Sequence, residues 1–187
     1  MKNIFILIIA QSFLFSGTVY LNMDFQNHYE YHSDLLDIDM DDSYKKGSVL
    51  LGYHHQVYQI DQFGLSVGGS FTIASLDAEG SNDDLDTKTD LYTLYLMPNF
   101  QISERVNLWT SLGHTSARTD NYKLKDGLMY GMGLNIKTTD SIDFSLGYSV
   151  YNSEVDMSTY ENGIYNFNSA IIEYKTTKMT LGLNYNF

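Results

Sequence analysis

The sequence has no cysteine, a single proline and few basic residues. The absence of cysteine rules out disulfide cross-links. One proline beside 14 glycines favours many strands with few forced breaks. Only 11 Lys and Arg stand against 23 Asp and Glu, which gives a net charge of −12. A chain this acidic is unsuited to neutralising phosphates, and a nucleic-acid partner is therefore not expected.

Long apolar runs are also missing, except near the amino terminus. A membrane helix needs about 20 consecutive apolar residues, so a helical membrane protein is excluded. The amino-terminal run, 4–15, follows one lysine and precedes Ser16 and Gly17. This order predicts a secretory signal peptide over 1–17 and one domain over 18–187. An uncleaved anchor helix is the alternative, but the run is short for crossing a bilayer.

Aromatic residues are abundant: 16 Tyr and 10 Phe accompany a single Trp. Tyrosine is amphipathic and suits a boundary between water and lipid. In the last nine residues, every second position is large and apolar, and the positions between are small or polar. The apolar positions are Met179, Leu181, Leu183, Tyr185 and Phe187. A strand ending in this way is typical of a transmembrane β-barrel, although the last strand of a soluble β-sandwich is the alternative.

Seven further segments alternate with a period of two, which predicts strands with unlike faces. They are 19–26, 48–57, 63–73, 92–100, 106–113, 128–137 and 142–150. The connections alternate in length. The short ones are 59–62, 101–104 and 138–141, and the long ones are 33–43, 77–88, 119–126 and 156–166.

Short turns on one rim and long loops on the other predict an all-β fold, an eight-stranded antiparallel up-and-down transmembrane β-barrel. A turn at 176–177 would give nine strands. One long final strand, with its first half outside the bilayer, keeps the count even.

The face opposite the apolar one is rich in glycine, serine, threonine and asparagine. Glycine would weaken a solvent-facing strand for no gain, whereas in a narrow barrel it makes room for Tyr20, Tyr95, Trp109 and Tyr151. This face is therefore predicted to line the lumen. The predicted polar lining comprises Asp24, His54, Gln56, Asn99, Asn107, Asn135, Lys137 and Asp143. With eight strands, side chains fill the interior, so an open pore is not expected.

Two details of the strand pattern are open. Lys137 and Asp143 flank a short turn and are predicted to pair near the rim. His55 falls on the lipid side between Tyr53 and Val57, unless a bulge turns it away.

Taken together, the signal peptide, the eight alternating strands, the loop lengths and the terminal Phe187 resemble small outer-membrane barrels of the OmpX, Ail and OmpA-barrel type. The resemblance implies a location in the bacterial outer membrane, among its lipid and lipopolysaccharide. It also implies insertion by the barrel-assembly machinery, with Tyr185 and Phe187 as part of the recognised end. The implied role is non-catalytic, in surface interaction or envelope integrity through the outer loops.

Two alternatives remain, namely a narrow channel and an enzyme. Some barrels of this size modify lipid A with a His-x-Ser pair, and His114 and Ser116 have that spacing. Their strand parity points toward lipid, however, and Ala117 stands where the deacylase pattern has Asn. We therefore expect no catalytic residues, no cofactor and no resident metal.

Acidic residues concentrate in the first two long loops, at 37–42 and 83–86. Hard divalent cations favour such oxygen ligands, but the spacing lacks the pattern of a calcium-binding loop. Solvated acidic loops are the simpler interpretation, and divalent cations are the alternative partner.

Overall fold

The computed structural model describes residues 17–33, 38–44, 47–75, 89–119, 124–155 and 172–187. Nearly all of them belong to antiparallel strands. The strands are β1 Thr18–Ser33, β2 Ile38–Tyr44, β3 Val49–Ile60, β4 Phe63–Ala74, β5 Thr89–Gln101, β6 Val106–Thr119, β7 Gly127–Lys137, β8 Ile142–Glu154 and β9 Glu173–Asn186. Among the described residues, no helix is long and apolar enough to cross a membrane.

The strands close into a ring of eight positions, because β1 and β9 pair with each other. The first part of β1 pairs with β3 and its second part pairs with β2, while β9 follows it on the other side. Strands β2 and β3 therefore share one place in the ring, with β2 ending at Tyr44 and β3 beginning at Val49. This confirms the predicted eight-stranded antiparallel up-and-down barrel.

The prediction of a loop over 33–43 was wrong in part, because Ile38–Tyr44 is a strand. Three of its seven residues are aspartate, and Asp42 interrupts the alternation of Ile38, Met40 and Tyr44. Its register opposite Asn27–Ser33 supplies backbone pairing that does not depend on side-chain hydrophobicity.

The final strand was predicted correctly over its described part. Strand β9 runs without a break through Thr176 and Thr177, so no turn divides it. The stretch 167–171 lies outside the described residues.

The short connections are where the sequence placed them, at 61–62, 102–105 and 138–141. Asp61 has a φ of 48°, the left-handed conformation that aspartate tolerates and a tight hairpin turn requires. We call this end, which also carries both ends of the described chain, the short-turn rim. The opposite end is the long-loop rim. The connections 77–88 and 156–166 and residues 1–16 of the predicted signal peptide, 1–17, lie outside the described residues.

The outer surface carries a continuous apolar belt. Leu94, Leu112 and Leu128 are 63%, 60% and 60% exposed, and similar side chains stand out from every strand of the ring. Apolar surface of this extent marks contact with a membrane or a partner, and a ring of outward leucines and aromatics suits acyl chains. The predicted outward orientation of the large apolar face is confirmed.

Glycines on the inner face make room for aromatic rings, as predicted. A Cβ atom on Gly52 would lie 2.1 Å from Tyr20 Cζ, and one on Gly133 would lie 2.4 Å from Trp109 Cζ2. Both distances are far below a normal contact. An inward position of the wall must therefore be glycine where an aromatic ring packs against it.

Three register shifts modify the simple alternation. Between Asp24 and Gln26 the register of β1 shifts, so that Gln26, which the alternation places inside, is exposed and Asn27 is buried. A second shift lies between Val49 and Leu50, and a third lies between Gln56 and Tyr58. This last shift comes after His55 in the chain. His55 therefore stays on the outer face, opposite exposed Val67 in the ladder.

The belt makes a test of orientation possible. Leu146 lies midway along the outward face of β8, so Leu146→Lys should lower the free energy of unfolding by about 2–4 kcal/mol. Asn152→Lys, on the same face but at the edge of the belt and opposite Lys175, should change it by no more than about 1 kcal/mol. Urea titration in phospholipid vesicles measures both. Equal, small effects would mean that Leu146 faces water.

Candidate functional sites in the lumen and at the rims

Tyrosines close the lumen. Tyr95 Oη donates a hydrogen bond to Tyr20 Oη over 2.8 Å, and both side chains are buried. Toward the long-loop rim, Tyr31 packs against Tyr29 and Tyr174 with ring centroids 5.7 and 5.0 Å away. The filled interior agrees with the closed barrel expected from the strand number.

A buried ion pair lies beyond the tyrosine layer. Lys178 Nζ lies 2.7 Å from Asp24 Oδ2 and 2.7 Å from Ser48 Oγ, and Ser48 also donates to Asp24. The side chains of Lys178 and Asp24 are 6% and 0% exposed. Asp24 precedes the bulge of β1, and Ser48 precedes β3. The cluster therefore holds the point where β1 exchanges one neighbouring strand for another.

Asp24 was predicted to line the lumen, whereas Lys178 was not. The sequence contains the information needed to place Lys178 inside. The apolar positions of the last strand are odd-numbered, from Met179 to Phe187, so the even-numbered Lys178 belongs to the inner face. Tyr29, Tyr31 and Tyr174 were not predicted either, because they lie beyond the belt, where the apolar alternation ends.

Amide side chains dominate the lumen near the short-turn rim. Trp109 Nε1 donates to Asn135 Oδ1 over 3.1 Å, and Thr18 Oγ1 donates to Asn186 Oδ1 over 2.6 Å. Asn186 Nδ2 in turn donates to Asp143 Oδ2 over 3.0 Å. Predicted lining residues His54, Asn99 and Asn107 surround the same space.

The predicted Lys137–Asp143 pair is wrong, although the two residues are opposite each other in the ladder. Lys137 Nζ lies 3.0 Å from Asp140 Oδ1, within the turn, and its side chain is 46% exposed. A long lysine chain at a rim extends into water. Gln56 is exposed at the same rim and lies at the entrance to the lumen rather than deep inside it.

Charged residues lie between the apolar belt and the long-loop rim, on one side of the barrel. Lys175 Nζ lies 3.0 Å from Glu30 Oε1, and Lys125 Nζ lies 2.9 Å from Glu154 Oε2. Exposed Glu173 lies opposite Glu154 in the ladder. We call these five residues the polar collar. Each exposed pair stabilises the fold by about 1 kcal/mol at most.

Within the described part of the chain, no group of three or more His, Cys, Asp or Glu side chains could hold a metal ion. The acidic stretch 83–86 lies outside that part, and only the backbone of 38–42 is described. The expectation of divalent cations at the acidic loops therefore stays a prediction.

His114 and Ser116 lie on the outer face near the long-loop rim, as their parity predicted, and both contact Asp126. Asp126 accepts a hydrogen bond from Ser116 and lies 3.3 Å from His114 Nε2, and these contacts hold the pKa of Asp126 below its usual value. The side chains of His114 and Asp126 are 60% and 57% exposed. The serine proton is thus directed at the carboxylate, whereas an activated serine needs the histidine as its base.

The carboxyl terminus lies at the seam of the barrel. Phe187 N donates to Gly17 O over 3.0 Å, and Gly17 N donates to Phe187 O over 3.1 Å. The Phe187 ring stacks with Tyr53 at 6.4 Å and with Tyr185 at 6.1 Å between centroids. The last two aromatic residues therefore form part of an aromatic edge at the short-turn rim. Their predicted role as an assembly signal stays a prediction.

A closed ring of eight antiparallel strands with an outward apolar belt is the fold of small outer-membrane β-barrels. Ail, the attachment invasion locus protein of Yersinia pestis, shares this fold. The alignment has 20% identity and a TM-score of 0.51, and it covers 92% of this chain and 100% of that one. Neisserial surface protein A aligns with 16% identity and a TM-score of 0.50, over 91% of this chain and 99% of that one.

A second Ail structure, in complex with the heparin analogue sucrose octasulfate, aligns with 17% identity and a TM-score of 0.50, over 92% and 100% of the two chains. At these identities the likeness shows the fold, and it confirms the predicted resemblance. The predicted location in the bacterial outer membrane agrees with it. No protein-family model and no curated protein sequence matches the chain.

The buried pair offers a test of the lumen. Lys178→Met leaves Asp24 charged without its partner and should lower the free energy of unfolding by about 3–5 kcal/mol. The double variant Lys178→Met with Asp24→Leu removes both charges and should recover most of that loss, as urea titration of the folded barrel would show. A double variant as unstable as the sum of the two single variants would contradict the pairing.

Proposed function

We propose that this chain is a non-catalytic outer-membrane barrel that acts through its outer end, in surface interaction or envelope integrity. The observation that carries the proposal is the filled lumen, closed by Tyr20, Tyr95 and the Lys178–Asp24 pair. A wall that encloses tyrosines and a buried ion pair favours an anchor for the outer loops over a conduit. It therefore argues against the narrow-channel alternative.

Lipid and lipopolysaccharide are the proposed partners of the outer surface. The belt meets acyl chains, and the polar collar lies where headgroups begin. The collar holds three carboxylates and two lysines, and each lysine is already paired with a glutamate. Phosphate groups would therefore approach this side through divalent cations. Because of the same pairing and the net charge of −12, we do not extend the sulfated ligand of Ail to this chain.

The catalytic alternative rests on His114 and Ser116, and their geometry does not favour it. Both side chains contact Asp126 in an exposed position, so solvent competes for each of their hydrogen bonds. A nucleophile needs its base as a direct and oriented partner. The same residues are well explained as a polar cluster at the boundary between the belt and water.

Mass spectrometry of lipid A tests the proposal directly. Lipid A from cells that express the chain should carry the same acyl groups as lipid A from cells without it. Expression of His114→Ala serves as the matched control and should give the same spectrum. A change in acylation that appears with the wild-type chain and disappears with His114→Ala would establish the enzyme instead.

We further propose that Tyr185 and Phe187 are the end recognised by the barrel-assembly machinery. Phe187→Ala should reduce folded barrel in outer-membrane fractions several-fold, measured by heat-modifiable migration in electrophoresis. Ile102→Ala is the control, because Ile102 is 56% exposed at the same rim but lies outside the terminal strand. The purified Phe187→Ala chain should still refold in detergent. Equal yields of both variants in cells would contradict the assignment.

A further inference from the structure

A cavity enters the barrel at the short-turn rim. It has a volume of about 300 Å³ and begins beside Gly17, Thr18 and Asn186. His54, Met97, Asn135 and Asn184 also line a smaller cavity of about 60 Å³, which ends at Tyr20 and Tyr95. We call the two together the cup. Its entrance faces the periplasm in an outer-membrane barrel, because short turns mark that side.

The cup is polar but nearly neutral. Six of its lining residues are asparagines: Asn22, Asn99, Asn107, Asn135, Asn184 and Asn186. A primary amide offers both donors and acceptors without charge. The carboxylate of Asp143 is the acidic group among the described lining residues, and Asn186 holds it. No lysine or arginine is found among those lining residues.

Three lining side chains carry buried polar atoms with no hydrogen-bond partner in the described part of the chain. They are Asn22 Oδ1, His54 Nδ1 and Asn107 Oδ1. An unsatisfied buried polar atom destabilises the fold, so groups of this kind normally have a partner. All three side chains line the cup, and each unpaired atom has less than 1 Å² of its own surface accessible. A molecule inside the cup with its own donors would satisfy them by reorienting these side chains.

We propose that the cup binds one neutral sugar ring from the periplasm. A volume of about 300 Å³ lies at the lower end of the range for small-molecule sites, which suits a single ring rather than an oligosaccharide. A charged ligand would lose its hydration without an opposite free charge in the lining. Sugar hydroxyls both donate and accept hydrogen bonds, as the amides of the cup do.

Trp109 gives the cup a rigid aromatic surface. Its indole N–H is held by Asn135, and its ring atoms would lie 2.4 and 3.0 Å from Cβ atoms placed on Gly133 and Gly147. The ring is therefore fixed against the wall. It is also the single tryptophan of the chain, so one spectroscopic signal reports on the cup.

The test uses the full folded barrel in a detergent without a sugar headgroup. Titration with glucose or N-acetylglucosamine should move the indole N–H resonance of Trp109 in a saturable way. Glucuronate, which carries a carboxylate, should not. No saturable shift with either neutral sugar would overturn the proposal and leave the cup as a solvated cavity.

Asn107→Leu removes one unpaired acceptor with little change of volume and should weaken the sugar affinity at least tenfold. Asn152→Leu, on the outer face, is the matched control and should leave the affinity unchanged. Heat-modifiable migration verifies that each variant is folded, and Asn99→Leu replaces Asn107→Leu if the latter does not fold. A shift that persists unchanged in the folded cup variant would show that the sugar binds elsewhere and overturn the assignment.

Discussion

The constraint behind this fold is the absence of water in the hydrocarbon layer. Each backbone N–H and C=O at that depth must find its partner within the protein, and a sheet satisfies all of them only when its two edges meet. Here the edges are β1 and β9, paired from Thr18 opposite Asn186 to His32 opposite Glu173. The contacts between Gly17 and Phe187 continue that seam to the rim. A terminal phenylalanine is therefore part of the closure itself.

Closure of a narrow ring creates a second constraint, because the interior must be filled. Large rings and bare backbone have to alternate around the lumen, as Tyr20 beside Gly52 and Trp109 beside Gly133 show. A buried charge is acceptable in such a space only with an oriented partner. The Lys178–Asp24 pair meets that condition. Ser48 adds a hydroxyl to it at the interruption between β2 and β3.

The period-two pattern predicted the ring, the belt and the glycine-lined lumen, because a face in acyl chains and a face in a crowded interior demand different side chains. The same reasoning fails where those demands stop. Strand β2 lies beyond the belt, and Asp42 interrupts its short apolar alternation. The bulge after Asp24 changes parity without any marker such as proline. Asp126 joins His114 and Ser116 through a fold contact across 12 residues, which no local pattern reveals.

The two ends of the barrel differ in chemistry, although inward and outward side chains alternate along the strands at both ends. Beyond the belt at the outer end, outward positions carry the charges of the polar collar, and inward positions carry Tyr29, Tyr31 and Tyr174. At the inner end, inward positions carry neutral amides, and outward positions carry aromatic rings. Charge at the outer end is thus placed where water and headgroups solvate it. At the inner end, neutral amides line the lumen and hydrogen-bond to Trp109, Thr18 and Asp143, so the enclosed space is polar without a free positive charge.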